Sequence, residues 1–177
     1  MQPEARPHAG AVRLRPVQPG DAVLLDRWRQ ETEIRRYQPL SETSVAQLYA
    51  ELAQQQSADL YRGRGEKFQW VILAGDRPAG WITLVVTNWT HGLAELGYAL
   101  SAPFQRRGVM PRALELLLDD LFDHTRLRRI EARCAVENVA SQKVLKRLGF
   151  EREGLLKGYF VLRGEVVDNY LYALLKA

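Results

Sequence analysis

The sequence is poor in the residues that build disulfides and metal sites, and it has no long hydrophobic run. Cys134 is the single cysteine, so the chain can form neither an internal disulfide nor a cysteine-based zinc cluster. The histidines His8, His91 and His124 are scattered and form no metal-binding pattern. No apolar stretch of about 18 residues is present, which argues against a membrane-spanning helix and a membrane partner.

The N-terminal segment also lacks the hydrophobic block of a signal peptide. It contains Glu4, His8 and two prolines instead, and we expect a flexible tail over residues 1–10. A length of 177 residues with 46% hydrophobic residues predicts one domain with a substantial core, which we place at residues 11–177. These features together predict a cytoplasmic protein.

The charge balance is only slightly basic. The chain has 25 basic and 21 acidic residues, a net charge of +4 that suits an anionic cofactor. A nucleic-acid partner is not favoured, because the basic residues are interspersed with acidic ones and no aromatic RNA-binding signature is present. The net positive charge by itself is compatible with association with RNA or the ribosome, which stays an alternative.

Hydrophobic periodicity and turn residues predict an α/β fold. The order is β-α-α-β-β-β-α-β-α-β-β, a mixed, mostly antiparallel sheet of about seven strands with helices on both faces. Helices are predicted from residue 21 and over residues 41–56, 111–124 and 138–148, and strands over residues 12–17, 68–73, 81–86, 93–100, 129–136, 150–160 and 166–175. A helix separates the strand at 129–136 from the strand at 93–100, so these two should run parallel.

The loop between the strand at 93–100 and the next helix is typical of an anion site. The backbone N–H groups in the first turn of a helix have no partner within the helix, and the helix dipole makes them attractive to anions. A glycine lets the backbone approach the ligand, and Arg112 in the first turn adds charge. We interpret the loop as a cradle for a diphosphate, formed by Gln105, Arg106, Arg107, Gly108, Val109 and Met110.

Several motifs, taken in order, resemble those of the GNAT superfamily of acetyl-CoA-dependent N-acetyltransferases, and in particular its RimJ/RimL-type branch. The similarity runs from about residue 11 to the end of the chain. Besides the cradle, the matching motifs are Glu95-Leu96-Gly97-Tyr98, Arg129-Ile130-Glu131-Ala132, Asn138-Val139-Ala140-Ser141, Lys146-Arg147-Leu148-Gly149-Phe150, and Gly164 with Asp168. The resemblance implies a GNAT-like fold and acetyl-CoA as the cofactor.

The resemblance also implies how the cofactor is held. Its diphosphate would lie in the cradle, and Asn138 and Ser141 would contact its arm from the facing helix. One backbone N–H of the central strand would polarise the thioester carbonyl. The strand residues expected to bind the pantetheine arm through their backbone are Leu96, Gly97, Tyr98, Ala99 and Leu100.

Two residues are candidates for the chemistry. Glu95 is the candidate base, acting on the amine through a water molecule, and Ser141 is the candidate to meet the sulfur of the leaving group. Each has a simpler explanation: Glu95 as a solvated strand residue, and Ser141 as a residue that bonds the helix start. Asn138 could likewise be a plain helix N-cap.

The chain departs from the family pattern at two positions. Arg106 stands where a glycine is usual, so we expect a less flexible cradle. Leu145 stands where many members have a tyrosine that protonates the departing thiolate, so the acid must come from elsewhere.

The function implied is transfer of an acetyl group to a primary amine, either a protein N-terminus or a small molecule. We expect residues 21–56 and the loop 88–92 to shape the acceptor side. The alternative is a non-catalytic, regulatory acyl-CoA-binding module of the same fold, and a homodimer is left open.

Overall fold

The computed structural model describes residues 12–177, and the tail expected at residues 1–10 lies outside the described residues. The strands are β1 (Val12–Pro16), β2 (Lys67–Ala74), β3 (Arg77–Asn88), β4 (Leu93–Leu100), β5 (Arg129–Ala135), β6 (Glu151–Leu162) and β7 (Glu165–Leu175). The helices are α1 (Ala22–Arg29), α2 (Thr32–Arg35), α3 (Val45–Gln55), α4 (Val109–His124) and α5 (Val139–Arg147).

The strands form one seven-stranded sheet in the order β1-β2-β3-β4-β5-β7-β6. Every neighbouring pair is antiparallel except β4 and β5, which run parallel as predicted. This parallel pair is the place where α4 crosses between two strands of the sheet. The structure confirms the expected mixed, mostly antiparallel fold.

Helices cover both faces of the sheet. The helix α4 packs on one face through a buried stripe, and α5 adds Leu145 to the same core. The helices α1 and α3 pack on the other face, where Trp28 stacks on Trp81 of β3 with ring centroids 6.1 Å apart. The stripe on α4 consists of Leu114, Leu117, Leu118 and Leu121, each at most 4% exposed.

The region before β2 differs from the sequence prediction. The helix α3 begins at Val45 rather than at residue 41, because Ser44 is its N-cap. The side chains of Ser44 and Gln47 form a reciprocal capping box. The backbone oxygen of Ser41 instead accepts a hydrogen bond of 2.8 Å from Arg29. The four-residue helix α2 was not predicted.

The hairpin of β2 and β3 is tighter than predicted. Only Gly75 and Asp76 form the turn, and β3 already begins at Arg77. Farther along β3, Gly80 allows a close approach to β4, since a Cβ atom there would collide with the carbonyl oxygen of Ala99. The two strands are paired over the whole length of β4.

Within residues 12–177, the helices are all too short or too polar to cross a membrane.

Candidate active site

The strands β4 and β5 separate halfway along β4. They are paired from Leu93 to Leu96 on β4 and from Arg129 to Ala132 on β5, and then diverge. On its other side, β4 stays paired with β3 up to Leu100. The second half of β4 therefore has one edge that faces a gap in the sheet. This edge belongs to the strand that the resemblance implies for binding the pantetheine arm.

Polar side chains line this edge. Gln38 donates a hydrogen bond of 2.8 Å to the carbonyl oxygen of Tyr98, and Gln105 donates one of the same length to that of Leu100. In a strand, the N–H and C=O groups of one residue point to the same edge. The N–H groups of Tyr98 and Leu100 consequently face the gap, where they can bind an extended ligand.

The last two residues of the cradle form the start of α4, which begins at Val109, two residues earlier than predicted. Gly108 is the N-cap of α4 and adopts a left-handed conformation with φ 74°, and no side chain caps the helix. The first turn has no acidic residue, so the N–H groups of Val109 and Met110 are suited to an anion. Both Arg106 and Arg107 are exposed beside it. These features fit a diphosphate.

Two details of the cradle differ from a simple basic loop. Arg106 adopts φ 59°, the left-handed conformation in which a glycine would be unstrained. Arg112 is paired with Glu115 at 2.6 Å, so its charge is partly neutralised within α4. The positive charge of the cradle therefore comes mainly from Arg106 and Arg107 and from the positive end of the α4 dipole.

The start of α5 faces the gap from the other side. Asn138 is the N-cap of α5, and its amide oxygen accepts a hydrogen bond of 3.2 Å from the backbone N–H of Ser141. A contact between Asn138 and a cofactor would therefore have to come from its amide nitrogen. Ser141 lies in the first turn of α5, and its side chain is half-buried.

The side chains of Tyr98 and Ser141 meet across the gap. The phenol oxygen of Tyr98 lies 2.7 Å from Oγ of Ser141, which links β4 to α5. Burial raises the pKa of the Tyr98 phenol well above its usual value. Burial also raises the pKa of the Cys134 thiol, which lies beside Ser141. Both groups stay protonated at neutral pH.

Glu95 lies on the opposite face of β4 from Tyr98. Side chains alternate along a strand, so Glu95 shares its face with Gly97 and Ala99. Its carboxylate forms an ion pair with Arg133 of β5. The space above Gly97 is open, since a Cβ atom there would meet no heavy atom within 4 Å. This face offers room for an acceptor next to a carboxylate.

Further charges continue this face across β5 and β6. The guanidinium of Arg129 contacts Glu131 at 2.8 Å and Glu153 at 2.6 Å. Arg133 lies 3.6 Å from Glu131 and is stacked on the ring of Tyr159, 5.3 Å from its centroid. Three carboxylates and two guanidinium groups thus form one paired network.

The segment between α1 and α3 approaches the gap on the same face. Gln38 reaches β4, as described above, and the hydroxyl of Tyr37 lies 3.5 Å from the carbonyl oxygen of Glu137. Glu31 accepts hydrogen bonds from Ser101 Oγ at 2.6 Å and from the backbone N–H of Ala102 at 3.0 Å. This segment is therefore held on both sides of the gap, after β4 and after β5.

The loop 88–92 lies elsewhere. The carbonyl oxygen of His91 accepts a hydrogen bond of 2.7 Å from Arg128, at the end of β4 opposite to the gap. Trp89 packs on Phe68, and Trp28 and Trp81 are core residues. Residues 21–56 and the loop 88–92 were both expected on the acceptor side. The segment before α3 does lie at the gap, whereas the loop 88–92 lies away from the gap.

Sequence reasoning did not identify Gln38, Arg133 or Tyr159 as residues near the gap. For β5 a signal was present, since Arg129, Glu131 and Arg133 alternate with buried residues and so share one face. For Gln38 and Tyr159 no local signal exists, because the position of Gln38 depends on the path of a loop and that of Tyr159 on where β6 lies in the sheet.

Residues 11–151 match the family described as "Acetyltransferase (GNAT) domain". The chain is 30% identical over 166 residues to an uncharacterized N-acetyltransferase, p20, of Bacillus licheniformis, covering 92% of each chain. It is 33% identical over 110 residues to the ribosomal-protein-serine acetyltransferase of Escherichia coli, covering 62% of each. The structure is similar to RimJ of Mycobacterium smegmatis in complex with CoA-disulfide, with a TM-score of 0.82, 30% identity, and coverage of 94% of this chain and 83% of that one.

Proposed function

Because the chain belongs to the GNAT acetyltransferase family and is an N-acetyltransferase that uses acetyl-CoA, we propose that its acceptor is the N-terminus of a protein. The expectation of an enzyme is confirmed, and the non-catalytic module is set aside. The observation that carries the proposal is the open, charge-paired face of the sheet beside the gap between β4 and β5.

We propose that acetyl-CoA lies along the gap. The N–H groups at the start of α4 and the side chains of Arg106 and Arg107 would hold its diphosphate. The N–H groups of Tyr98 and Leu100 would bind its arm, and one of them would polarise the thioester carbonyl. The cofactor supplies the activated acetyl group, and the chain's part is to aim it at the acceptor face.

On the acceptor face, Glu95 is the proposed base. A bound water would pass the proton of the amine to the Glu95 carboxylate, which leaves the nitrogen neutral and nucleophilic. The ion pair with Arg133 fixes the direction of this carboxylate. On the other face of β4, Ser141 is proposed to meet the sulfur. The strand thus separates proton removal from stabilisation of the leaving group.

The charges of the acceptor face favour a singly charged amine over a polyamine. A polyamine carries several protonated nitrogens, each of which gains most from an unpaired carboxylate. Here Glu95, Glu131 and Glu153 are already paired with arginines. The open space above Gly97 leads to the surface and leaves room for a peptide to continue. The relative from Escherichia coli is named for a ribosomal-protein acceptor.

A panel of acceptors tests this proposal. Release of free CoA is measured with peptides that differ in their first residue, with the same peptides blocked at the N-terminus but containing lysine, and with polyamines and small amines. We expect turnover with free N-termini and little with blocked peptides. Faster turnover with a polyamine than with any peptide would contradict the proposed acceptor and leave the acetyltransferase activity itself untouched.

Three further expectations belong to this proposal. We propose that residues 11–177 act as one domain, because β6 and β7 extend the sheet beyond the residues matched to the family. Use of acetyl-CoA and of a ribosomal-type acceptor would require a cytoplasmic location. The homodimer stays a prediction, which light scattering on the purified chain tests.

A further inference from the structure

The pair formed by Tyr98 and Ser141 raises the question of which hydroxyl donates its proton to the other. Within residues 12–177, the Tyr98 hydroxyl has one hydrogen-bond partner, which is Ser141. If Ser141 donated, the partly buried phenol O–H would have no acceptor among residues 12–177, and an unmade hydrogen bond of a buried group costs about 1–3 kcal/mol. Tyr98 is therefore favoured as the donor, which frees the proton of Ser141 for another acceptor.

The residue expected to supply the acid cannot do so here. Leu145 has no proton to donate, and it is fully buried in the core between α5 and the sheet. Its place is one turn of α5 beyond Ser141. The Tyr98 hydroxyl approaches the same side of the gap from β4, so a phenol is present although it comes from another element.

We propose that Tyr98 is a positioning residue for acetyl transfer. Its hydroxyl donates to Oγ of Ser141 and thereby directs the Ser141 proton at the sulfur of the departing CoA. This rests on the proposed role of Ser141 and goes beyond the role of the Tyr98 backbone in binding the cofactor.

The bonds balance without a proton lost from either hydroxyl. The amine nitrogen forms a bond to the acetyl carbon, and the carbon–sulfur bond breaks with its electron pair on the sulfur. Starting from the neutral amine, the proton that the nitrogen gives up on forming this bond goes through water to Glu95, which has already released the ammonium proton to solvent. The sulfur leaves as a thiolate that accepts a hydrogen bond from Ser141, and solvent protonates it after release.

The surroundings of Tyr98 suit a fixed donor. The ionisable groups that act on its phenol are the Cys134 thiol and the Tyr172 phenol. Burial raises the pKa of both, as it does for Tyr98. None of the three ionises near neutral pH, so the direction of the hydrogen bond does not change with pH in the working range.

The binding of CoA tests the inference without an acceptor. A donor aimed at the sulfur lowers the pKa of the bound thiol, so CoA should bind more tightly as the pH rises through the pKa of its free thiol. Calorimetry with reductant present compares CoA with desulfo-CoA on either side of this pKa. We expect CoA affinity to rise about tenfold relative to desulfo-CoA, the gain of one hydrogen bond to a charged group.

Three variants assign this gain to its donor. Ser141→Ala should abolish it, and Tyr98→Phe should remove most of it while desulfo-CoA binds as before. Tyr172→Phe is the matched control, because its hydroxyl is buried without a hydrogen-bond partner among the described residues. It should keep the full gain. The affinity of each variant for desulfo-CoA shows that its site is folded.

Several outcomes would overturn the inference. One is that Tyr98→Phe keeps the full rise of CoA affinity with pH. Another is that the parent protein itself shows no such rise. Absence of CoA binding at any pH would instead refute the use of acetyl-CoA. With an acceptor in hand, Tyr98→Phe should lower kcat about tenfold with little change in the KM of acetyl-CoA, and should add nothing in the Ser141→Ala background.

Discussion

The carboxylate of Glu95 is ion-paired with Arg133, and the pair joins the two strands just where they begin to separate. The ring of Tyr159 covers the guanidinium, so the arginine is held on two sides. The Glu95 side chain is nevertheless 36% exposed. A carboxylate that is fixed in direction and still reached by water is what a base acting through a water molecule needs.

Replacing Glu95 by Gln should therefore slow turnover with little effect on CoA binding. The amide keeps the shape but cannot accept a proton at neutral pH, and we expect kcat to fall about a hundredfold. Glu131→Gln is the control, since this residue shares the network with Arg133 and lies one strand away. Steady-state kinetics and calorimetry measure both. Equal losses in the two variants would mean that the network is only structural.

Filling the space above Gly97 should block the acceptor. Valine fits a strand, and its Cβ atom meets no neighbour within 4 Å, so Gly97→Val should leave the Tm unchanged or higher. The acceptor KM should rise more than about tenfold, while CoA affinity stays the same. Gly154→Val is matched to it, because that glycine lies in β6 with equally open surroundings. An unaltered acceptor KM in Gly97→Val would place the acceptor elsewhere.

Gly108→Ala should weaken CoA binding through the backbone. Its φ of 74° is unfavourable for alanine, and we expect a loss of about 1 kcal/mol in the free energy of unfolding. A Cβ atom would also stand at the mouth of α4, so CoA affinity should fall. Gly75→Ala has a similar φ of 63° in the open turn between β2 and β3, outside the cradle. It should lose similar stability and bind CoA normally, as denaturation and calorimetry can show.

Arg106→Gly should separate the effect of backbone strain on stability from the effect of the arginine charge on CoA binding. Glycine adopts φ 59° without strain, so stability should stay equal or rise by less than about 1 kcal/mol, since the gain is offset by the greater entropy of the unfolded chain. Loss of the cation should weaken CoA binding, more at low salt than at high salt. Arg163→Gly is the counterpart at φ 52° in the β6–β7 turn. If it weakened CoA binding to the same degree, the cradle would not be the diphosphate site.

The ion pair of Arg15 and Asp21 should make stability depend on pH in the acid range. Arg15 donates two hydrogen bonds of 2.7 and 2.8 Å to Asp21 and lowers the pKa of this carboxyl below its usual 3.8. The stabilisation is then complete above that value and is lost as the pH falls through the lowered pKa. Asp21→Asn should cost on the order of 1 kcal/mol at pH 7 and nothing in strong acid. A constant difference at all pH values would contradict this.

The sequence predicted the frame of the fold well where periodic patterns were long. Hydrophobic spacing predicts the seven strands and the parallel pair of β4 and β5. It also predicts the two helices beside the gap, together with Gly108 and Gly149 at helix ends. Gly149 indeed has φ 86° after α5. The helix α2 was missed because four residues are too few to show a period.

Pairing between elements was harder to predict. Ser41 and Ser44 are both suitable N-caps, and the contact of Arg29 with the backbone of Ser41 favours the later one. The roles of Asn138 and Ser141 were named from the resemblance, but the hydrogen bond from Tyr98 depends on how far α5 lies from β4. The partner of Glu95 depends on strand register, which no local pattern specifies.

The left-handed backbone at Arg106 also bears on how relatives of this chain are to be recognised. At a position where the family pattern has a glycine, this chain has an arginine in a conformation that suits glycine. A search pattern that insists on glycine at this position would overlook chains built in the same way. In this chain an arginine satisfies the shape of the turn that the glycine pattern describes.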